Sequence, residues 1–134
     1  MREIEYRIKH GTEDRWVYGF PIFYDDGSFT FVDKEPLNRL EPLEKCEISS
    51  AYDGTLGQYT GLKDKNGVKV YEGDIIKCKV DMDLIVLVEW SEVMSAFVIR
   101  EPSKPIRYCD LCFAHNIEVI GNIYENKELI KESE

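Results

Sequence analysis

Cys109-Asp-Leu-Cys112 holds the side chains best spaced for chemistry, because a two-residue spacer lets both thiolates reach one metal ion or exchange a disulfide. A structural zinc site normally adds a second such pair or closely spaced histidines. Here only His115 is near, His10 is remote, and Cys46 and Cys78 stand alone. Ordinary reduced thiols are the expectation, with no disulfide framework in a cytosolic chain. His10 and His115 are the only side chains with an unperturbed pKa suited to general-base work near neutrality, and neither has a nucleophile motif beside it. Asp81 and Asp83 share one side of an extended chain and could hold a hard cation, although carboxylates in such a turn are more often solvated. Gly61 to Gly67 lacks the Lys-Ser/Thr that completes a phosphate-cradling loop. The expectation is a non-enzymatic protein without catalytic residues, cofactor or metal.

Binding chemistry is better represented. Lys63, Lys65, Lys69, Lys77 and Lys79 form a local basic cluster, and Tyr59 and Tyr71 beside it could stack on bases of single-stranded nucleic acid. These seven residues are the candidate partner-binding set. Against a nucleic-acid partner stand Asp64, Glu72 and Asp74 within the cluster and a net charge of −9, which opposes the phosphate neutralisation that such binding uses. Trp16, Tyr18, Phe20, Ile22 and Tyr24 alternate along one face of an extended segment, forming either a core face or part of a recognition surface. A homo-oligomer, or contact with another protein, fits an acidic chain without a catalytic set.

The elements that must position these residues are mostly strands. Glu3 to Lys9 alternates charged and apolar residues, with Ile4, Tyr6 and Ile8 on one face. Trp16–Tyr24 follows, with Pro21 arguing for an edge strand or a bend. Asp25-Asp-Gly-Ser28 reads as a hairpin loop into Phe29–Val32. Residues 33–56 are irregular: Pro36 and Pro42 limit any helix to about a turn, one short strand is possible near Cys46-Glu-Ile48, and 49–54 has loop composition. Beyond this, Lys65-Asn66-Gly67 is a turn, Asp74–Val80 places Ile76, Cys78 and Val80 inward, and Leu84–Trp90 is apolar on both faces, as in a central strand. Ala96–Arg100 and Ile117–Tyr124 complete the set, with Tyr59, Tyr71, Trp90 and Ile123 expected to fill the interior. Asn126 is placed to cap a short helix over 127–131. No run approaches the ~18 to 20 apolar residues of a membrane-spanning helix, and the N-terminus lacks the apolar stretch of a secretion signal. A cytoplasmic location is expected.

Gly57-Gln-Tyr-Thr-Gly-Leu-Lys-Asp-Lys-Asn-Gly67, Tyr71-Glu-Gly-Asp-Ile-Ile76, Val86-Leu-Val-Glu-Trp90 and Val119-Ile-Gly-Asn-Ile-Tyr-Glu-Asn126 together resemble the YopX family of phage and prophage proteins, as does the opening Arg2–Arg7 with Trp16–Gly19. The resemblance implies a phage or prophage origin, and so a host cell's cytoplasm as the location and a host or phage protein as a possible partner, together with an N-terminal β region and a C-terminal SH3-like barrel. It implies no catalytic residue. The expected architecture is therefore all-β: an antiparallel meander with an irregular connection over 1–56, then a small SH3-like β-barrel over 57–134 ending in a short helix. The glycines and large apolar residues of these motifs read mainly as turn and packing positions.

Overall fold

The computed structural model describes residues 3–48, 51–102 and 108–130. The chain divides into two units, Met1–Tyr59 and Thr60–Glu134, with the division inside one long strand. It is mainly β, and its strands pair antiparallel.

The first unit contains β1 (Tyr6–His10), β2 (Trp16–Phe23), β3 (Phe29–Asp33), β4 (Glu47–Ile48) and the start of β5 (Ala51–Lys63), in the order β4-β3-β2-β1-β5. Composition closes the β2–β3 hairpin: Tyr24 N–H bonds the Ser28 carbonyl at 2.9 Å, and Asp26 accepts from the Ser28 N–H at 2.9 Å. Ile8, Val17 and Phe31 form the core, with Tyr6, Phe29, Ile48 and Leu56 packed against it.

The aromatic face of β2 lies on the solvent side, not in this core. Tyr18, Phe20 and Tyr24 are 37%, 39% and 49% exposed, while Val17 and Gly19 between them are buried. Phe31 of β3 already fills the space behind Val17, so the buried apolar volume comes from three strands. In β1 the expected apolar face holds, with Ile8 in the core and Tyr6 against it, but the other face is buried as well. Its charged face is buried, because β1 is flanked by β2 and β5 and the Trp16 ring lies 4.5 Å from the Arg7 guanidinium and 5.5 Å from the Lys9 ammonium. Glu5 on that face pairs with Lys34. Ile4, by contrast, is exposed.

β2 as a whole is internal to the sheet, but at Pro21 it is paired on the β3 side alone, as at an edge. The pairing with β1 ends at Tyr6↔Gly19, so Pro21 lies beyond that neighbour and its missing donor interrupts no rung with β1. Residues 33–48 hold two short helices, α1 (Lys34–Asn38) and α2 (Leu43–Cys46). Asp33 caps α1 by accepting the Glu35 N–H at 2.9 Å, and Pro36 sits in the first turn, where its missing N–H leaves no helical bond unmade. The expected loop over 49–54 is strand from Ala51 onward, and residues 49 and 50 lie outside the described residues.

The second unit contains the end of β5, β6 (Lys69–Tyr71), β7 (Asp74–Lys79), β8 (Asp83–Ser91), β9 (Ala96–Arg100), β10 (Tyr108–Asp110) and β11 (His115–Asn122). β6 pairs with β5, and the other five run β10-β9-β8-β7-β11, an order compatible with a small SH3-like barrel. β8 is central, as its apolar run indicated. Val70, Ile76, Cys78, Val86, Val88, Ile99, Leu111 and Ile117 form the core, and Lys77 and Lys79 point outward between core residues of β7. β10 and a 3-10 turn over Leu111–Phe113 occupy part of the stretch read as a Pro-containing excursion, and β11 begins two residues before the expected strand. The C-terminal helix is a single 3-10 turn over Lys127–Ile130. The Asn126 side chain does not cap it but turns back to accept the Asn122 N–H at 3.1 Å. No described helix is long and apolar enough to cross a membrane.

Candidate binding groove

Three polar residues of the YopX-like motifs, Asp64, Asp74 and Asn122, form joints within the second unit. Asp64 is buried in the turn after β5, where Oδ1 accepts the N–H groups of Asn66 (2.8 Å) and Val68 (2.9 Å) and Oδ2 accepts that of Val119 in β11 (3.0 Å). Burial alone would raise its pKa; the bonds from Val119, Val68 and Asn66 more than offset this and hold the carboxyl below the usual range. Asp74, 1% exposed, accepts the Tyr71 N–H at 2.7 Å and closes the turn between β6 and β7. Asn122 Oδ1 accepts from Tyr124 and Glu125, both at 3.0 Å. Gly67 takes a φ of +83° in its turn, and Gly121 backs onto Asn126 so closely that a Cβ would lie 2.7 Å from its side-chain oxygen.

The candidate partner-binding residues separate. Lys63, Lys65, Lys77 and Lys79 are exposed and Lys69 is half-buried, whereas Tyr59 and Tyr71 are 5% and 3% exposed. Those two rings fill the interior, as one half of the sequence reading held, so they are withdrawn from the surface where bases could stack. Acids interleave with the lysines in space as well as in sequence: Lys65 lies 3.8 Å from Glu118, and Lys77 and Lys79 pair across the sheet with Glu118 and with Asp83.

Burial, with Cys109 nearby, pushes the Cys78 thiol up to about 11. Burial raises Cys109 as well, and a hydrogen bond to Asp110 raises Cys112, so none of the three is poised as a thiolate. His10 Nδ1 accepts the backbone N–H groups of Thr12 (3.2 Å) and Glu13 (3.1 Å), a turn-closing role. His115 is exposed at the start of β11. Among the described residues no three His, Cys, Asp or Glu side chains converge on a metal-sized site.

Trp90, expected inside, is 42% exposed. It lies on the core-facing side of β8 opposite Phe97, but near the strand end, where the core has run out; the two rings meet edge to face at 5.1 Å. Trp90→Ala is therefore expected to lower stability by about 1 kcal/mol, well short of the ~3–5 kcal/mol of a truncated buried ring, as urea denaturation would measure. With Tyr124, Trp90 borders an open groove of about 550 Å³. Gly73, Leu87, Val88 and Ile123 lie along it, Leu87 and Val88 with buried side chains, and Glu72, Glu89 and Lys127 bring its charges. Gly73, at φ +94°, lies beneath the Tyr124 ring, whose Cε2 would be 3.0 Å from a Cβ there. Arg100 grips Glu89 with two bonds of 2.9 and 2.7 Å. The groove was missed in the sequence because Trp90 closes an apolar run and so reads as core. The one available signal was its position immediately before the polar turn Ser91-Glu92.

No curated protein matches the chain. Among solved structures it is similar to protein EF1440 from Enterococcus faecalis, at 23% identity and a TM-score of 0.61, with 98% of this chain and all of that one covered. That likeness extends the fold across both units and no further. The joints at Asp64, Asp74 and Asn122 account for much of the motif pattern by structure alone, and the family of the YopX protein matches residues 5–131, nearly the whole length; the chain belongs to the YopX family.

Proposed function

We propose that this protein is a non-enzymatic accessory factor of phage or prophage origin that acts in the host cytoplasm by binding proteins, and that it assembles with copies of itself. The observation that carries the reading is the row of exposed rings on and just after β2, Tyr18, Phe20 and Tyr24, at 37%, 39% and 49%. Several large apolar side chains on one sheet face are costly to leave in water and typical of protein contacts. Light scattering at micromolar concentration tests it. The expected mass is a small multiple of the protomer, falling to one protomer in a Tyr18→Asp, Phe20→Asp variant. A wild-type chain that stays monomeric at these concentrations removes self-assembly from the reading.

A second reading, a nucleic-acid-binding module, draws on the exposed Lys63, Lys65, Lys77 and Lys79. It is weakened by the acids among them and by the burial of Tyr59 and Tyr71. If it holds, single-stranded DNA binds at low salt, releases steeply towards physiological salt, and is lost in Lys77→Glu, Lys79→Glu. Absence of binding at low salt retires it.

A further inference from the structure

We infer that the turn between β1 and β2 is a proton-operated latch, closed by a neutral His10 and opened when that ring becomes an imidazolium. The inference concerns regulation and stands whether or not the protein self-assembles. Nδ1 of His10 accepts the backbone N–H groups of Thr12 at 3.2 Å and Glu13 at 3.1 Å, with the Thr12 hydroxyl at 3.4 Å. A backbone N–H can only donate, so Nδ1 must present its lone pair and the ring proton must sit on Nε2. Nε2 in turn lies 3.3 Å from a Glu13 carboxylate oxygen. The neutral Nε2–H tautomer thus satisfies both ring nitrogens at once, on a side chain only 12% exposed.

A proton added at Nδ1 points at two N–H groups and can bond neither, so the ring turns from acceptor to obstacle and the turn must give way. Histidine is the side chain that makes this change of charge between about pH 5 and 8. Among the described residues, the charged groups around the ring belong to the turn itself. Glu13 at Nε2 favours the added charge, but Arg15 already holds that carboxylate through a 2.8 Å bond and does most to lower its pKa, His10 contributing less. Lys9, on the other face of β1 by alternation, pairs with Asp14 at 3.0 Å. On the β2 side the His10 N–H bonds the Arg15 carbonyl at 2.8 Å, and on the β5 side the residue opposite is Ala51.

What the turn holds gives its opening a consequence. Asp14 sits at φ +51° within it, and Trp16 follows directly, its ring beside the Lys9 ammonium and the Arg7 guanidinium. Opening releases the Lys9–Asp14 pair and loosens Trp16 at the head of the row that continues through Tyr18 and Phe20. The Ile8↔Val17 rung next to the turn is in the core and stays closed. Acid thereby alters one end of the aromatic surface without unfolding the sheet.

Amide exchange measured by NMR on the full chain, with ring nitrogen shifts reporting the tautomer, tests the inference. At about pH 8 His10 is expected as the Nε2–H tautomer, with the Thr12 and Glu13 amides protected. At about pH 5 both amides are expected to lose protection by at least roughly tenfold, after correction for the intrinsic pH dependence of exchange, while Ile8 and Val17 keep theirs. The Trp16 indole resonance is expected to shift with the same midpoint. His10→Asn puts an oxygen acceptor where Nδ1 stands and cannot titrate, so its turn is expected to stay closed at both pH values. His10→Ala is expected to be open at both, and His115→Asn, at the exposed start of β11, to leave the transition in place. A ring protonated on Nδ1 at about pH 8, Thr12 and Glu13 protection that does not change with pH, loss at Ile8 and Val17 together with the turn, or a transition that survives in His10→Asn each overturns the latch.

Discussion

Asp64→Ala is expected to destabilise the second unit by about 3 kcal/mol, seen as a lowered urea midpoint with an unchanged slope. The variant strands the N–H groups of Asn66, Val68 and Val119, all of which now bond one carboxylate. Bonds to a charged acceptor contribute roughly 1.5–3 kcal/mol each, and water entering the turn recovers part of the loss. Asp64→Asn keeps an oxygen acceptor but no charge, so a smaller loss of about 1–2 kcal/mol is expected. The same carboxylate gives an acid limb to the stability curve. Its folded pKa is depressed, so its contribution is fully present above the unfolded value of about 3.9 and is lost as pH falls through the folded value. In Asp64→Asn that contribution to the slope below about pH 4 should vanish, while the rest of the curve keeps its shape. An unchanged acid limb would contradict the depressed carboxyl.

Gly19→Ala is expected to be at least as damaging, though in the first unit. A Cβ at this position would sit 1.8 Å from the Val32 carbonyl oxygen, 3.0 Å from its carbon and 3.1 Å from the Lys34 nitrogen. All three are backbone atoms in or beside β3 and cannot rotate aside, so β2 and β3 must separate. Overpacking usually costs about 1–3 kcal/mol, and this rigid contact belongs at or above the upper end. Gly54→Ala is the control, since nothing lies within 4 Å of its added carbon. Thermal melting should show a large drop for the first and a shift within about 0.5 kcal/mol for the second. Equal melting of both variants would mean that the β2–β3 approach is looser than described.

Strand identity was largely legible in the sequence, because alternation and turn chemistry are local properties. β7 shows this well: Lys77 and Lys79 outside with Ile76 and Cys78 inside follow from period two alone. The direction in which a strand faces was less legible where both faces carry large side chains. In β2 the aromatic face outweighs Val17 and Gly19 in any count of apolar residues, yet a glycine facing a crossing carbonyl decides which side is inside. Trp90 failed for a related reason: its alternation puts it on the core face, but the end of a core is a three-dimensional boundary with no local mark. Asp64 looked like one acid among lysines, because its third donor lies 55 residues away in sequence. The groove is hidden for the same reason, being assembled from the β6–β7 turn, β8 and the segment after β11.

That 55-residue separation has a consequence during synthesis. Position 64 leaves the ribosome well before position 119, so a nascent chain carries the turn with two of its three donors in place and the remaining carboxylate oxygen facing water. Translation must then advance by most of the second unit before β11 can meet β7 and the last donor can arrive. The nascent second unit thus closes this seam only after β6 to β10 have been made, so the Asp64 joint is completed later than the turn that carries it.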